Sequence, residues 1–303
     1  MMPLMAMSDL PLFGVLTGFE IPDDEIRIAG GVVLKKRFAD IFSTPLMAYG
    51  APEAGKHHPA PWSAIDGGTF LKCRVEIQIT SAETFEGLSP TTFAWLIAAL
   101  LRLHIDAPIR LAAVRNLPFT EENAREPSGT LFEAAPIQWG LFHPGRDFIL
   151  ATESNLAWLR RQLPRAIAMW QDERFQHSFT IFDQARWSAT ADACAVMLWT
   201  AVEILLETSA LQDKGKLIAQ RLSAFIALDS LDKDRALQVI RSLYRNRGSI
   251  VHAGGTMEQR DFIQLFRIVT VAFQNAVIHG LPMQMDAQCH LSPAGACAGQ
   301  ASS

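Results

Sequence analysis

The stretch Ala193-Cys194-Ala195-Val196-Met197-Leu198-Trp199-Thr200-Ala201-Val202-Glu203-Ile204-Leu205-Leu206 is apolar almost all the way round a helical wheel, with Thr200 and Glu203 as its polar side chains. A surface helix shows a single apolar stripe, whereas a helix apolar on every side belongs inside a protein core. The spacing therefore predicts a helix over Ala189 to Glu207 at the centre of a bundle. A carboxylate buried there without a partner would be strongly destabilising, so Glu203 requires a cation from a neighbouring helix.

Outward from this helix, the sequence on both sides keeps a helical period. Upstream, Ser154 can cap a helix whose apolar positions Leu156, Leu159, Leu163 and Ile167 share a face, with Pro164 expected to kink or divide it. Downstream, Gly215 to Leu228 and Asp232 to Arg245 read as two amphipathic helices. The last helix is the clearest. Thr256 with Gln259 matches a capping box, Phe262, Leu265, Phe266, Val269 and Phe273 recur at helical spacing, and Gly280 with Pro282 ends it. Residues 151–282 thus read as an all-α bundle, followed over 283–303 by an Ala/Gly/Ser-rich tail without periodicity that is expected to be disordered.

Before residue 150 the chemistry changes. Ile26 to Phe38, Phe70 to Thr80 and Ile109 to Val114 carry strand chemistry, the second with Val75, Ile77 and Ile79 alternating with Glu76, Gln78 and Thr80. One helix interrupts them, Thr91 to His104 opened by Pro90, which is too hydrophobic for a surface and should pack against the sheet. The expected class is α+β overall: an N-terminal mixed, β-containing domain of unassigned role over 1–150, followed by the helical bundle. The paired glycines at 30, 67 and 254 read as turns, because none has the strand-to-helix context of a nucleotide loop. Lys35 to Arg37 reads as a charge run on an edge strand. Trp139, Trp158 and Trp187 read as core packing, and His57 and His58 as exposed loop residues.

At 303 residues, 49% of them hydrophobic, the chain can bury the cores of two ordinary domains. A net charge of -4, from 27 Lys+Arg against 31 Asp+Glu, excludes a globally basic nucleic-acid binder but allows a local basic site. The acidic surplus sits upstream, with 12 Lys+Arg against 17 Asp+Glu over 1–150, which leaves 15 against 14 over 151–303. The longest purely apolar run, Phe93 to Leu101, is about half the ~20 residues of a membrane-spanning helix, so no membrane segment is expected. The first residues lack the basic start of a secretory signal. Cys73, Cys194, Cys289 and Cys297 show no paired short spacing, and there is no His-x-x-x-His. The expectation is a soluble, cytoplasmic, reduced protein without metal or other cofactor.

Candidate chemistry concentrates in Tyr244-Arg245-Asn246-Arg247-Gly248-Ser249-Ile250-Val251-His252-Ala253-Gly254-Gly255. Arg241, Arg245, Arg247 and Arg260 face only Glu258 between positions 241 and 260, which makes a cationic patch around His252. This segment resembles the signature of HEPN domains, an Arg followed after four to six residues by His. It is most similar to the Apea-like HEPN form, which reads roughly Tyr-x-x-Arg-Ser-x-Ile-Val-His-Gly. Trp199 to Leu206 is similar to the hydrophobic helix of that family, which carries a Glu at this point. The resemblance covers residues 151–282 and not the N-terminal half. Gly248 stands where the family pattern has Ser, and Ser249 follows one position later.

The resemblance implies metal-independent RNA cleavage at a site formed between two paired protomers, in a family associated with phage defence and toxin systems. The partners implied are RNA, a second copy of the chain and a regulatory protein. His252 would move a proton from or to the ribose 2′-hydroxyl or leaving oxygen. Arg247 or Arg245 would stabilise the phosphate, with Glu203, Asn246, Ser249 and Tyr244 in support. The alternative is a HEPN-like module that binds a nucleotide, RNA or a protein without catalysis. Arg247 to His252 matches the family spacing, yet on an unbroken helix a five-residue step turns about 140° away. Arg245 to His252, with Asn246 beside the arginine, is a seven-residue step that returns to the same face. Gly248 decides between them if it breaks the helix, and the closer local resemblance favours Arg247. Glu203 is expected to pair with whichever of Arg247 and Arg245 packs against it.

Overall fold

The structure is a computed structural model that describes residues 11–42, 46–48, 54–55, 63–66, 70–81, 85, 87–105, 107–120, 132–134, 148–208, 213–227, 232–253 and 255–282. Within these, the side chains of 40–42, 46–48, 63–66, 70–71, 132–134 and 249–253 are not described. His57, His58, Trp139, the glycine pair at 67, Gly254 and the tail over 283–303 lie outside the described residues.

The first half carries strands β1 (Leu12–Thr17), β2 (Phe19–Glu20), β3 (Glu25–Ala29), β4 (Val32–Phe42), β5 (Leu46–Ala48), β6 (Ser63–Asp66) and β7 (Phe70–Ile79). Helix α1 (Pro90–Ile105) follows, then β8 (Arg110–Arg115), β9 (Phe132–Ala134) and β10 (Ile149–Leu150). From there the described chain is helical: α2 (Glu153–Met169), α3 (Glu173–Ala185), α4 (Ala191–Leu205), α5 (Lys214–Ile226), α6 (Lys233–Ala253) and α7 (Gln259–His279). The class is α+β.

Six strands form one antiparallel sheet in the order β3-β4-β7-β1-β8-β9, with short pairs β10-β2 and β5-β6 beside it. β1 lies inside the sheet with all six residues buried. A strand covered on both faces has no period-two alternation to read, which is why the sequence did not reveal it. Ile26 to Phe38 is not one strand but a hairpin, turned at Gly30-Gly31 with Gly31 at φ +69°. Lys35 to Arg37 therefore does not sit on an edge, because β3 takes that position. Lys35 pairs with Glu25 across the hairpin at 2.9 Å, and Arg37 reaches the fully buried Glu76 at 3.3 Å. Glu76 also accepts the Phe119 N–H at 2.6 Å, which satisfies the buried charge.

Helix α1 packs against β1, β7 and β8 on one side and against α2 and α7 on the other. That double cover explains its lack of a polar face. One connected set of buried side chains runs from Leu12 in the sheet to Val277 in α7, so the change of character at 150 falls within a shared core. A buried ion pair crosses this junction. Arg102 of α1 donates from Nε and Nη2 to Asp183 of α3 at 2.8 and 2.7 Å, and from Nη1 to the Ile109 carbonyl. Trp158 is buried and stacks on His104 at 4.3 Å, and Trp187 lies beside Arg102 and Arg110.

Several helix boundaries depart from the sequence reading. α2 is capped by Thr152 in a capping box with Asn155, two residues before Ser154. Pro164 neither divides nor ends α2. It is exposed, on the side where water can take the carbonyl freed one turn earlier. α3 has no counterpart among the expected helices, although Asp172 caps it and Phe175, Phe179 and Phe182 recur along its buried face. α7 begins at Gln259 with Glu258 at its N-cap and no side-chain cap bond, so Thr256 and Gln259 form no capping box. Gln259 is already the first helical residue there, two positions short of where a capping box needs it. Among the described residues α7 is the one helix long and apolar enough, by length and composition, to cross a membrane, and its Leu265, Val269, Ala272 and Phe273 are buried within the core. Gln264 and Arg267 interrupt its apolar residues, so α7 holds no long uninterrupted apolar run.

Candidate active site

Thr190 caps α4 by accepting the Ala193 N–H, and burial of Leu198, Trp199, Ala201, Val202 and Leu205 sets the rotation of that helix. Glu203 then falls on a core-facing side and is 7% exposed. α6 packs against α5 and α4 with Ile240 and Leu243 buried, and Tyr244 stands edge-on to Trp199 of α4 with ring centroids 5.0 Å apart. This contact carries the Tyr244 hydroxyl to Glu203, where it donates to Oε1 at 3.1 Å. One turn on, Arg247 Nη2 lies 3.1 Å from the same oxygen, its guanidinium 5.6 Å from the Tyr244 ring centroid. Lys214, the first residue of α5, approaches Glu203 Oε2 at 3.7 Å. Gly215 beside it makes this approach feasible: a Cβ there would sit 2.9 Å from Tyr244 Cδ1.

Glu203 thus has the cation its burial required, and that cation is Arg247. Lys214 is a third partner that the sequence did not point to, since nothing in its neighbourhood marks α5 as adjacent to α4. Gly215, the second residue of α5, lies against the Tyr244 ring and is the local trace of that proximity.

Burial, followed by the Glu203 charge and the hydrogen bond to it, holds the Tyr244 hydroxyl above the ordinary phenol value, against the opposing pull of Arg247. Below pH about 10 the phenol is protonated in folded and unfolded chains alike. Above that, the unfolded chain loses a proton that the folded chain keeps, so the stability Tyr244 contributes declines as pH rises through its folded value. In a tyrosinate absorbance titration, one transition is expected above the ordinary range and should disappear in Tyr244→Phe. An unshifted transition for Tyr244 would mean that the contact with Glu203 is absent in solution.

Gly248 does not break α6, which continues as one helix to Ala253. At about 100° per residue, Arg241, Arg245, Gly248 and position 252 fall within an arc of about 60°, opposite buried Leu243 and Ile240. Arg241, Arg245 and Gly248 are exposed, and neither arginine has an ion pair among the described residues. Ser249 and His252 belong to α6 by backbone, and their side chains are not described. Asn246 does not join this face. It donates to Asp261 Oδ2 at 2.9 Å and ties α6 to α7. Arg260, grouped by sequence with the cationic patch, instead lines a groove of about 620 Å³ with Ile263, Arg267 and Val271 of α7 and Ile226 of α5. Among the described residues no cluster of three or more His, Cys, Asp or Glu side chains is arranged to hold a metal ion.

The two arginines of the signature therefore take different places. Arg247 turns inward to Glu203, and Arg245 lies on the outer face that also bears position 252. Comparison with protein-family models, with curated proteins and with solved structures returned no match.

Proposed function

We propose that α6 presents a metal-independent ribonuclease site of the HEPN type, in which Arg245 and His252 touch the RNA. Glu203, Tyr244 and Arg247 act as positioning residues that fix the rotation of α6 against α4. The observation that carries this reading is the unbroken course of α6: it sets Arg245 and His252 seven residues apart on one face while Arg247 is held elsewhere.

The chemistry suits these groups. The ribose 2′-oxygen attacks phosphorus and the bond to the 5′-oxygen breaks, leaving a 2′,3′-cyclic phosphate and a 5′-hydroxyl. One imidazole takes the 2′-hydroxyl proton and another supplies the proton gained by the leaving oxygen, which a neutral-pH titrating side chain can do in either direction. The Arg245 guanidinium stays charged and offers a fixed fork of donors to the phosphate as its negative charge grows. Two imidazoles at one phosphate require a second copy of the chain paired about a two-fold axis. Pairing also concentrates cations: residues 233–279 hold seven Lys+Arg against three Asp+Glu in a chain of net charge -4. Such an activity, held in check by the N-terminal half or a regulatory protein, fits a cytoplasmic role in phage defence or a toxin system.

The test is cleavage of total cellular RNA in excess EDTA by the wild-type chain and by His252→Ala, with oligomeric state followed by sedimentation. The expected result is cleavage by the wild type alone, from a dimer, with folding and pairing unchanged in the variant. RNA binding without turnover in the wild type would replace the nuclease with a binding module on the same face.

A further inference from the structure

α7 is more apolar than its packing against the core accounts for. It is long and apolar enough to cross a membrane, yet only 44% of its most apolar 18-residue stretch is buried. Leu265, Val269, Ala272 and Phe273 face the core. On the opposite side Arg260, Ile263, Arg267 and Val271 fall within about 80° of arc. Ile263 is 42% exposed, one of four large hydrophobic side chains in that state among the described residues. This stripe forms one wall of the groove of about 620 Å³, with Ile268 beside it and Ile226 of α5 across from it. Along the wall the order is cation, aliphatic, cation, aliphatic over about 16 Å, and the described lining holds no carboxylate.

We infer that this groove is a docking site for an acidic amphipathic helix of another protein. Its aliphatic side chains lie on Ile226, Ile263, Ile268 and Val271, and two of its carboxylates pair with Arg260 and Arg267. The two arginines are seven residues and about 10.5 Å apart, which matches two carboxylates seven residues apart on a helix lying along α7. Charge and shape select this occupant. A second copy seated about a two-fold axis near 263–264 would set Arg260 of one copy against Arg267 of the other, like charge on like. A nucleic-acid strand finds an aliphatic floor here and no aromatic ring to stack on. A small ligand needs walls round most of its surface, which an open trough between two helices does not supply. A helix needs only one face covered, and the trough is about three helical turns long. The inference does not depend on the nuclease reading.

The experiment uses the full chain and three capped, side-chain-stapled helical peptides of about 14 residues, read by fluorescence anisotropy at low salt. One carries a leucine face flanked by two Glu seven residues apart, the second has Lys for those Glu, and the third has Ala for the leucines. The first is expected to bind saturably at about 1–100 µM, and at least about tenfold more tightly than either control. Arg260→Glu with Arg267→Glu is expected to weaken that binding at least about tenfold and to take up the lysine peptide instead. Its thermal midpoint should hold, because both side chains are exposed. Ile263→Asp is expected to bind none of the three. Failure of the acidic peptide to bind saturably, equal binding of the acidic and basic peptides, or binding that survives the double arginine substitution overturns the inference. So does a dimer that Ile263→Asp dissociates, which would assign the stripe to a second copy. Binding to phosphatidylglycerol vesicles that Ile263→Asp abolishes would assign it to a bilayer and overturn the inference equally.

Discussion

Replacing Asp183 by alanine is expected to destabilise the folded chain by about 3–5 kcal/mol, measured by urea unfolding at neutral pH. Arg102 and Asp183 are both almost fully buried, and the pair is bidentate at 2.8 and 2.7 Å. Removing the carboxylate leaves a guanidinium in the core with only the Ile109 carbonyl to accept from it. Its surroundings are already cationic. Arg186 donates to the Arg102 carbonyl, and Arg110 is pushed below its ordinary value first by burial and then by Arg102, with Asp183 opposing. The double substitution Arg102→Met with Asp183→Leu removes both charges and is expected to lie near wild-type stability or up to about 4 kcal/mol above it. An Asp183→Ala variant within about 1 kcal/mol of wild type would mean that this strut does not couple α1 to α3.

The second large effect separates the two arginines of the signature. Arg245→Ala is expected to lower the single-turnover rate of RNA cleavage by about 10²–10³-fold, the usual loss when one donor to a developing oxyanion is removed. Its thermal midpoint should hardly move, because the side chain is exposed and has no ion pair among the described residues. Arg247→Ala should behave the other way. It deprives buried Glu203 of its nearest cation, which costs about 1–3 kcal/mol, while Tyr244 and Lys214 still cover the carboxylate. At a matched folded fraction its rate should fall by less than about tenfold. The reverse pattern would return the phosphate-binding role to Arg247 and put the reacting face against α4.

Particular residues show why some of this was legible in the sequence and some was not. Glu203 could be read because a single carboxylate in an all-round apolar helix has few acceptable environments, and a cation from a neighbouring helix is the simplest of them. Which arginine would share a face with position 252 could not be read, because that turned on whether Gly248 interrupts α6, and helix propensity alone is too weak to decide a one-residue question. Lys214, Asp183 and Arg102 carry no local signal for their roles, since their partners are 11, 81 and 81 residues away in sequence. α3 is legible through Phe175, Phe179 and Phe182, which recur at helical spacing behind the capping Asp172. β1 was not legible, because burial on both faces removes the alternation that marks a strand.

The most direct measurement is single-turnover cleavage, in excess EDTA, of one RNA oligonucleotide and of its counterpart with a 2′-deoxy residue at the cleaved position. The account predicts a 2′,3′-cyclic phosphate and a 5′-hydroxyl from the first, no product from the deoxy counterpart, and no product from either with His252→Ala. Cleavage of the deoxy strand, cleavage that persists in His252→Ala, or no cleavage of either strand without added divalent metal would contradict it.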